Sequence, residues 1–363
     1  MRQLQAFLTL ATGSVLAALA SGCGAVGASS AGGKADVITL GAYSVVREAF
    51  HEGLIPAFAE RWRRQTGREV RFEESYNGSG AQARAIAAGF DADLAVLSLE
   101  GDMDLLVKAG VVRKNWNAGP TRGMVTRSLV VIGLRDGNPK EIRDWGDLAK
   151  PGVGVLYPDP KTSGGARWNI GAVWGAGLLG WDRPAQTPPR PDPAAARDLL
   201  ARVQRNVVNM DSSGRQSLAT FERGTGDAVV TYENELLLRQ KFAARPIPYV
   251  TPASTLLIES PAALVEASVT RHNNREVVEA FLAFLRSDAG QGVLADYGFR
   301  PTNPQLGVKG QPPLPPRLFT IRDLGGWPKV KKTVFDAGGV WASIFTDRDQ
   351  AKGLARAGSG PRP

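Results

Sequence analysis

VGVLYPDPKTSGGARWNIGAVWGAGLL (153–179) reads as a short apolar strand, a turn, and a long apolar helix. The turn is the informative part. KTSGGAR (161–167) sets hydroxyl residues and two glycines where the helix begins. A helix start leaves about four backbone N–H groups unpaired and carries roughly half a positive charge. Glycine-rich turns of this kind usually hold a phosphate, yet the chain has no Walker lysine signature.

Outward from this stretch the same strand–helix rhythm repeats. DVITLGA (36–42) is a β-rich run, followed by helical signals from Val46 to Thr66. There Pro56 interrupts, and Ile55, Phe58 and Trp62 recur at helical spacing before Gly67 ends the helix. REVRFEE (68–74), ADLAVLS (92–98), SLVVIGL (128–134), VVNM (207–210) and DAVVTY (227–232) read as strands. AQARAIAAG (81–89), GDMDLLVKAG (101–110), AAARDLLARVQR (194–205) and RQSLATFERG (215–224) read as helices. The alternation predicts parallel-rich α/β sheets covered by helices on both faces. Two Pro-rich loops, 182–196 and 303–316, are candidate linkers. The first lies between two helices and reads as a surface excursion. No internal repeat is present.

The chain has 363 residues, 43% hydrophobic and 22% charged, enough for two domains with cores of their own. The net charge of +9 comes from scattered basic residues, with no aromatic-interleaved basic stripe, which argues against nucleic acid. Ahead of the body, Arg2 and AFLTLATGSVLAALA (6–20) form a signal-peptide pattern too short for a comfortable membrane span. LASGC (19–23) resembles a bacterial lipobox, although Ala20 stands where leucine is more usual; Cys23 would then carry a lipid. The alternative is an ordinary signal peptide with an incidental cysteine. GAVGASSAGGKA (24–35) reads as a flexible tether and residues 346–363 as a disordered tail. Both readings place the protein outside the cytoplasm; with the lipid it is anchored to a membrane.

Four places share one design, a small polar residue, often with glycine, between a strand end and a helix start: AYSVV (42–46), NGSGAQ (77–82), KTSGGAR (161–167) and DSSGRQ (211–216). Any one alone is an ordinary capped helix. In an open α/β sheet, however, strand ends meet at one cleft, where four such starts suit a small anion.

SGGARWN (163–169) together with GNPKEIRDWGDLAKPGVGV (137–155), RGTGDAVVTYENE (223–235), FRPTN (299–303) and GGW (325–327) resembles the sulfate-binding proteins of bacterial ABC importers, over about residues 38–335. The resemblance implies a two-lobed periplasmic-binding-protein-like type II fold. Its first lobe is 37–126 with 232–345, its second 127–231, after a signal peptide 1–23 and a tether 24–36. It implies closure over dehydrated sulfate and delivery to an ABC transporter permease, by a monomer without cofactor or metal.

The resemblance also implies a site. Backbone N–H groups would come from Ser44, Ser79, Gly164, Gly165 and Gly214, a hydroxyl from Ser163, and a ring donor from Tyr232. Ser44 replaces an expected aspartate and Gly214 a usual alanine; backbone donors tolerate both changes. Tyr232 replaces tryptophan, whose N–H only donates, whereas a phenol donates or accepts. The related molybdate-binding proteins also use tyrosine on this strand. Arg167 and Arg215 are expected behind the ligand rather than on it.

A donor-only site suits sulfate, which carries no proton at neutral pH, and leaves the proton of hydrogen phosphate unpaired at a cost of about 1–3 kcal/mol. Glu233 and Glu235 are expected to point elsewhere if the strand runs on past Tyr232. Thiosulfate, molybdate or tungstate, and a sulfate-sensing receptor are the alternatives. An enzyme is disfavoured: the only histidines are His51 and His272, neither beside a candidate nucleophile, and Cys and His show no metal spacing.

Overall fold

The computed structural model describes residues 35–180, 191–243, 245–306 and 310–345. Cys23, the signal segment, nearly all of the tether, most of the first Pro-rich loop and the tail lie outside the described residues.

Strands β1 (Asp36–Tyr43), β2 (Val70–Asn77) and β3 (Leu94–Val96) alternate with helices α1 (Ile55–Thr66), α2 (Ser79–Ala87) and α3 (Glu100–Lys108). The long strand β4 (Met124–Leu134) leads to β5 (Val155–Leu156), α4 (Gly164–Leu179), α5 (Pro193–Arg205), β6 (Val207–Asn209), α6 (Gly214–Glu222), β7 (Ala228–Tyr232) and α7 (Glu233–Phe242). After β8 (Tyr249–Val250), a second long strand β9 (Ser254–Leu264) is followed by α8 (Glu266–His272), α9 (Arg275–Arg286), α10 (Asp288–Asp296), β10 (Arg317–Phe319) and α11 (Gly326–Val330).

The sheet order is β2-β1-β3-β9-β4-β7-β5-β6. Each flank is parallel, β1 with β2 and β3, and β5 with β6 and β7. The flanks carry the parallel-rich character expected, while the centre is antiparallel: β9 pairs with both β3 and β4, and β4 with β7. The register shows how β4 and β9 join the flanks. Residues 124–129 of β4 pair with β9, whereas Val130–Leu134 pair with β7. β9 reaches β3 through Ala262, Ala263 and Leu264.

Pro56 does not interrupt the helical run after β1. A 3₁₀ turn at Ser44–Val46 passes through Arg47 and Glu48, both right-handed helical, into a π-helical stretch Ala49–Leu54 and then α1. The Ile55 N–H bonds the carbonyl of Phe50, five residues back. Proline cannot donate to a regular helical ladder, and the wider turn with Pro56 in the first turn of α1 absorbs that loss.

On the β1–β2 flank, Phe58 packs at 4.9 Å from Phe281 of α9, which lies at 4.9 Å from Phe72 of β2. On the other flank, α4 is buried through nearly all of its length, the mark of a helix inside a core. Its glycines let neighbours come close: a Cβ on Gly177 would lie 2.7 Å from the Ala196 backbone of α5, and one on Gly175 would meet the ring of Phe319. Near its start, Trp168 and Asn169 donate to the carbonyls of Ser98 and Val230 at 2.8 Å each, which ties this helix to the segments around β3 and β7.

Candidate functional site

The four polar turns converge. Gly78, the residue capping α2, has no room for a side chain, since a Cβ there would sit 2.7 Å from the Thr162 carbonyl and 3.0 Å from that of Ser212. The Thr162 hydroxyl donates to the same Ser212 carbonyl at 2.8 Å. The starts of α2, α4 and α6 therefore touch. A Cβ on Gly214, the first residue of α6, would meet Val45 at 3.7 Å, which brings the turn containing Ser44 into the same group.

Local capping leaves specific amides free. Ser163 is the N-cap of α4, and its oxygen accepts from the Ala166 N–H at 3.4 Å. The Gly164 and Gly165 N–H groups lie ahead of the first intrahelical bond. Ser213 caps α6 the same way through Gln216 at 3.3 Å, leaving the Gly214 amide. α2 has a glycine cap with no side chain to offer. None of the four starts carries an acidic residue in its first turn, a lack shared by α1, α5 and α11, whereas α3, α7, α8, α9 and α10 each carry one. Acidic residues are favoured there because they offset the helix dipole.

Tyr232 comes to the same place from β7. Its hydroxyl lies 2.6 Å from that of Ser98, just past the end of β3. A Cβ on Gly165 would stand 3.7 Å from the Tyr232 oxygen and 3.3 Å from the Ser163 oxygen. Burial holds the Tyr232 phenol well above its ordinary pKa and pushes that of neighbouring Tyr43 up to about 12, so both stay protonated. The turns that carry Ser44, Ser79, Ser163, Gly164, Gly165 and Gly214 thus lie against one another, with Tyr232 beside Gly165.

The carboxylates and cations nearby are committed to one another. The Ser79 hydroxyl donates to Asp102 at 2.6 Å and accepts from the Ser98 N–H at 2.8 Å, while the Ser79 backbone N–H lies ahead of the first intrahelical bond of α2, Gln82 to Gly78. Burial raises the pKa of Asp102, against the opposing pull of Arg167 and the Ser79 hydrogen bond. Arg167 bonds the Pro160 carbonyl at 3.1 Å and stands 3.5 Å from Asp102. Arg215 bonds Glu48 and the fully buried Glu235. Both guanidiniums are held by protein groups, but the Arg215 Nε is buried without a hydrogen-bond partner.

β7 ends at Tyr232, and Glu233, Asn234 and Glu235 open α7 instead of continuing the strand. The glutamates are structural. Glu233 pairs with Arg300 at 2.6 and 2.8 Å, joining YENE to FRPTN. Trp168 of SGGARWN meets Trp327 of GGW edge to face, centroids 4.7 Å apart. Sequence reasoning missed Gly78 as a close-approach position, and Glu48, Asp102, Thr162 and Ser98 as neighbours. Ser98 had a visible signal, a small hydroxyl residue directly after a strand. His51 pairs with Glu74, and His272 with Asp91 and Asp93, away from the cleft. Among the described residues no cluster of His, Cys, Asp and Glu is arranged to hold a metal.

The family model described as bacterial extracellular solute-binding protein matches residues 30–300. The chain belongs to the bacterial extracellular solute-binding proteins. Among its relatives in this family, the sulfate-binding protein of Synechococcus elongatus is 39% identical over 91% of this chain and 92% of its own. The sulfate-binding protein of Escherichia coli is 38% identical over 83% and 91%. The thiosulfate-binding protein of Pseudomonas aeruginosa is 33% identical over 84% and 90%. The solved structure of the sulfate-binding protein SubI from Mycobacterium tuberculosis superposes with a TM-score of 0.74 at 37% identity, covering 83% of this chain and all of that one. The solute-binding fold here is accordingly the two-lobed α/β fold of periplasmic binding proteins, and family membership places the protein outside the cytoplasm.

Proposed function

We propose that the protein captures sulfate between its lobes and hands it to the permease of an ABC importer. One observation carries the reading: the starts of α2, α4 and α6 and the turn at Ser44 lie against one another, with none of their first turns acidic. Ser44, Ser79, Gly164, Gly165 and Gly214 supply amide donors, and Ser163 and Tyr232 supply hydroxyls. Tetrahedral sulfate has four acceptor oxygens and no proton, so a cradle of donors suits it. The names of the relatives, sulfate-binding at 38–39% identity, point the same way. Arg167 and Arg215 hold the elements behind the site. The protein acts by binding rather than by catalysis, as a monomer, and Cys23 is lipidated to keep it at the membrane.

We place the hinge in β4 and β9. The first lobe takes residues 37–126, and the second runs from 127 past residue 231 to the start of β9, where the chain returns to the first, because β8 pairs with the outer part of β4.

Isothermal titration of the protein with sulfate, thiosulfate, molybdate and phosphate tests the reading. Tight sulfate binding without phosphate heat is expected. Stronger heat from thiosulfate, in line with a thiosulfate-binding relative at 33% identity, would reassign the ligand within the same cleft. Heat from none of the four would overturn the reading.

A further inference from the structure

Tyr232 brings an ambiguity to a donor-only cradle, because a phenol oxygen can accept a hydrogen bond from a ligand as readily as its O–H donates one. Its neighbour removes the ambiguity. Ser98 is fully buried, and its backbone is held on both sides: its N–H donates to Ser79 at 2.8 Å, and its carbonyl accepts from Trp168 at 2.8 Å and Ser260 at 3.2 Å. The side chain is therefore fixed in place, 2.6 Å from the Tyr232 oxygen.

Two hydroxyls share that short contact, and together they hold two hydrogens, of which the contact uses one. Among the described residues the Ser98 hydroxyl has no hydrogen-bond partner except Tyr232. If Tyr232 donated, the Ser98 hydrogen would be stranded in a site enclosed by Gly164 and Leu99, and a buried unmatched donor is costly. If Ser98 donates, nothing is stranded inside. The Tyr232 hydrogen is then left over on the side of Gly165 and Ser163, where the ligand sits in the reading proposed above.

We infer that Ser98 is a specificity-determining residue: by donating to Tyr232 it fixes the phenol as a hydrogen donor toward the cleft, so that the site selects fully deprotonated tetrahedral oxyanions over singly protonated ones. Ser98 is a positioning residue, acting on the ligand through Tyr232. The inference rests on the oxyanion reading of the cleft. The buried phenol, held protonated, always has the hydrogen this role requires.

The test is titration of the full chain with sulfate and with phosphate at about pH 8, where phosphate is a singly protonated dianion of the same charge as sulfate. Ser98→Ala frees the Tyr232 oxygen to accept from the phosphate hydroxyl, so the preference for sulfate over phosphate is expected to fall about tenfold. Ser98→Thr restores the donor and the preference. In a Tyr232→Phe background, Ser98→Ala is expected to leave the preference unchanged, since no phenol remains to orient. A Ser98→Ala protein that weakens both anions equally, or keeps the original ratio, overturns the inference while leaving the oxyanion reading standing. An unmodified protein that binds neither anion overturns that reading, and the inference with it.

Discussion

Arg215 and Glu48, 167 residues apart in the chain, form a two-pronged ion pair at 2.8 and 2.6 Å. Arg215 is the second residue of α6, and Glu48 follows the turn that begins at Ser44, so the pair links two of the four helix starts across the cleft. The same guanidinium reaches the buried carboxylate of Glu235 at 2.8 Å. Its own burial opposes its charge, but Glu235 and Glu48 outweigh that and raise its pKa. One side chain thus serves a core carboxylate and a cleft-spanning contact.

Those two duties separate by mutation. Arg215→Ala leaves Glu235, fully buried, with only Arg239 at 3.6 Å, and uncompensated buried charge costs about 3–5 kcal/mol. Urea unfolding should show a loss of that order. Glu48→Gln removes only a partly exposed partner, so stability should move by about 0–1 kcal/mol. Anion release in stopped-flow should nevertheless become several-fold faster, as expected when a charge pair that holds a closed form is cut. An unchanged release rate would rule out the clasp.

The glycines of the cleft are predicted to differ sharply in tolerance. Gly165→Asp places a carboxylate beside Ser163 and Tyr232, where the Cβ alone comes within 3.3 Å of the serine oxygen. Like charges about 4 Å apart in a half-dry site repel by about 4 kcal/mol, so sulfate affinity should fall by more than about a hundredfold. Gly214→Ala meets only Val45, at an ordinary 3.7 Å, and keeps the backbone donor. Its affinity by calorimetry should stay near that of the unmodified protein.

Gly78→Ala tests whether the helix starts must touch. The new Cβ would press on two backbone carbonyls, Thr162 at 2.7 Å and Ser212 at 3.0 Å, neither able to rotate away as a side chain would. Overpacking of this kind costs about 1–3 kcal/mol. The cost should appear as weaker sulfate binding, because the strain lies between elements that supply donors. Full affinity in this variant would show that the contact is incidental.

Away from the cleft, His272 should give the protein a stability term that depends on pH. Its hydrogen bond to Asp93 at 2.7 Å is the main cause raising its pKa above 6.5, with burial opposing and Asp91 assisting. The folded state then binds the proton more tightly than the unfolded chain. The stabilisation is complete below the unfolded pKa and is lost as pH rises through the higher folded value. The difference in melting temperature between the protein and His272→Gln should therefore shrink from about pH 6 to about pH 9. A constant difference across that range would discount the pair.

Much of the architecture was legible from local pattern. The strands and helices up to Tyr232 lie close to their expected positions, since alternation, capping serines and terminal glycines act within a few residues. β9 went unread: STLLIESPAAL contains Pro261, which argues against a central strand. It survives because the pairing of β4 breaks register near that point.

The sequence by itself determined the strand–helix order, the four polar turns and the absence of acids among the candidate donors. These follow from residue type and spacing, which govern φ/ψ preference, capping and dipole strength locally. Only the tertiary structure decided which turns meet, that Arg215 and Arg167 are spent on Glu48, Glu235, Asp102 and a carbonyl, and that Ser98 stands against Tyr232. The contacts of Arg215 with Glu48, Arg167 with Asp102 and Ser98 with Tyr232 join residues 65 to 167 positions apart. They depend on how β4 and β9 bring the flanks of the sheet together, and no local propensity encodes that distance.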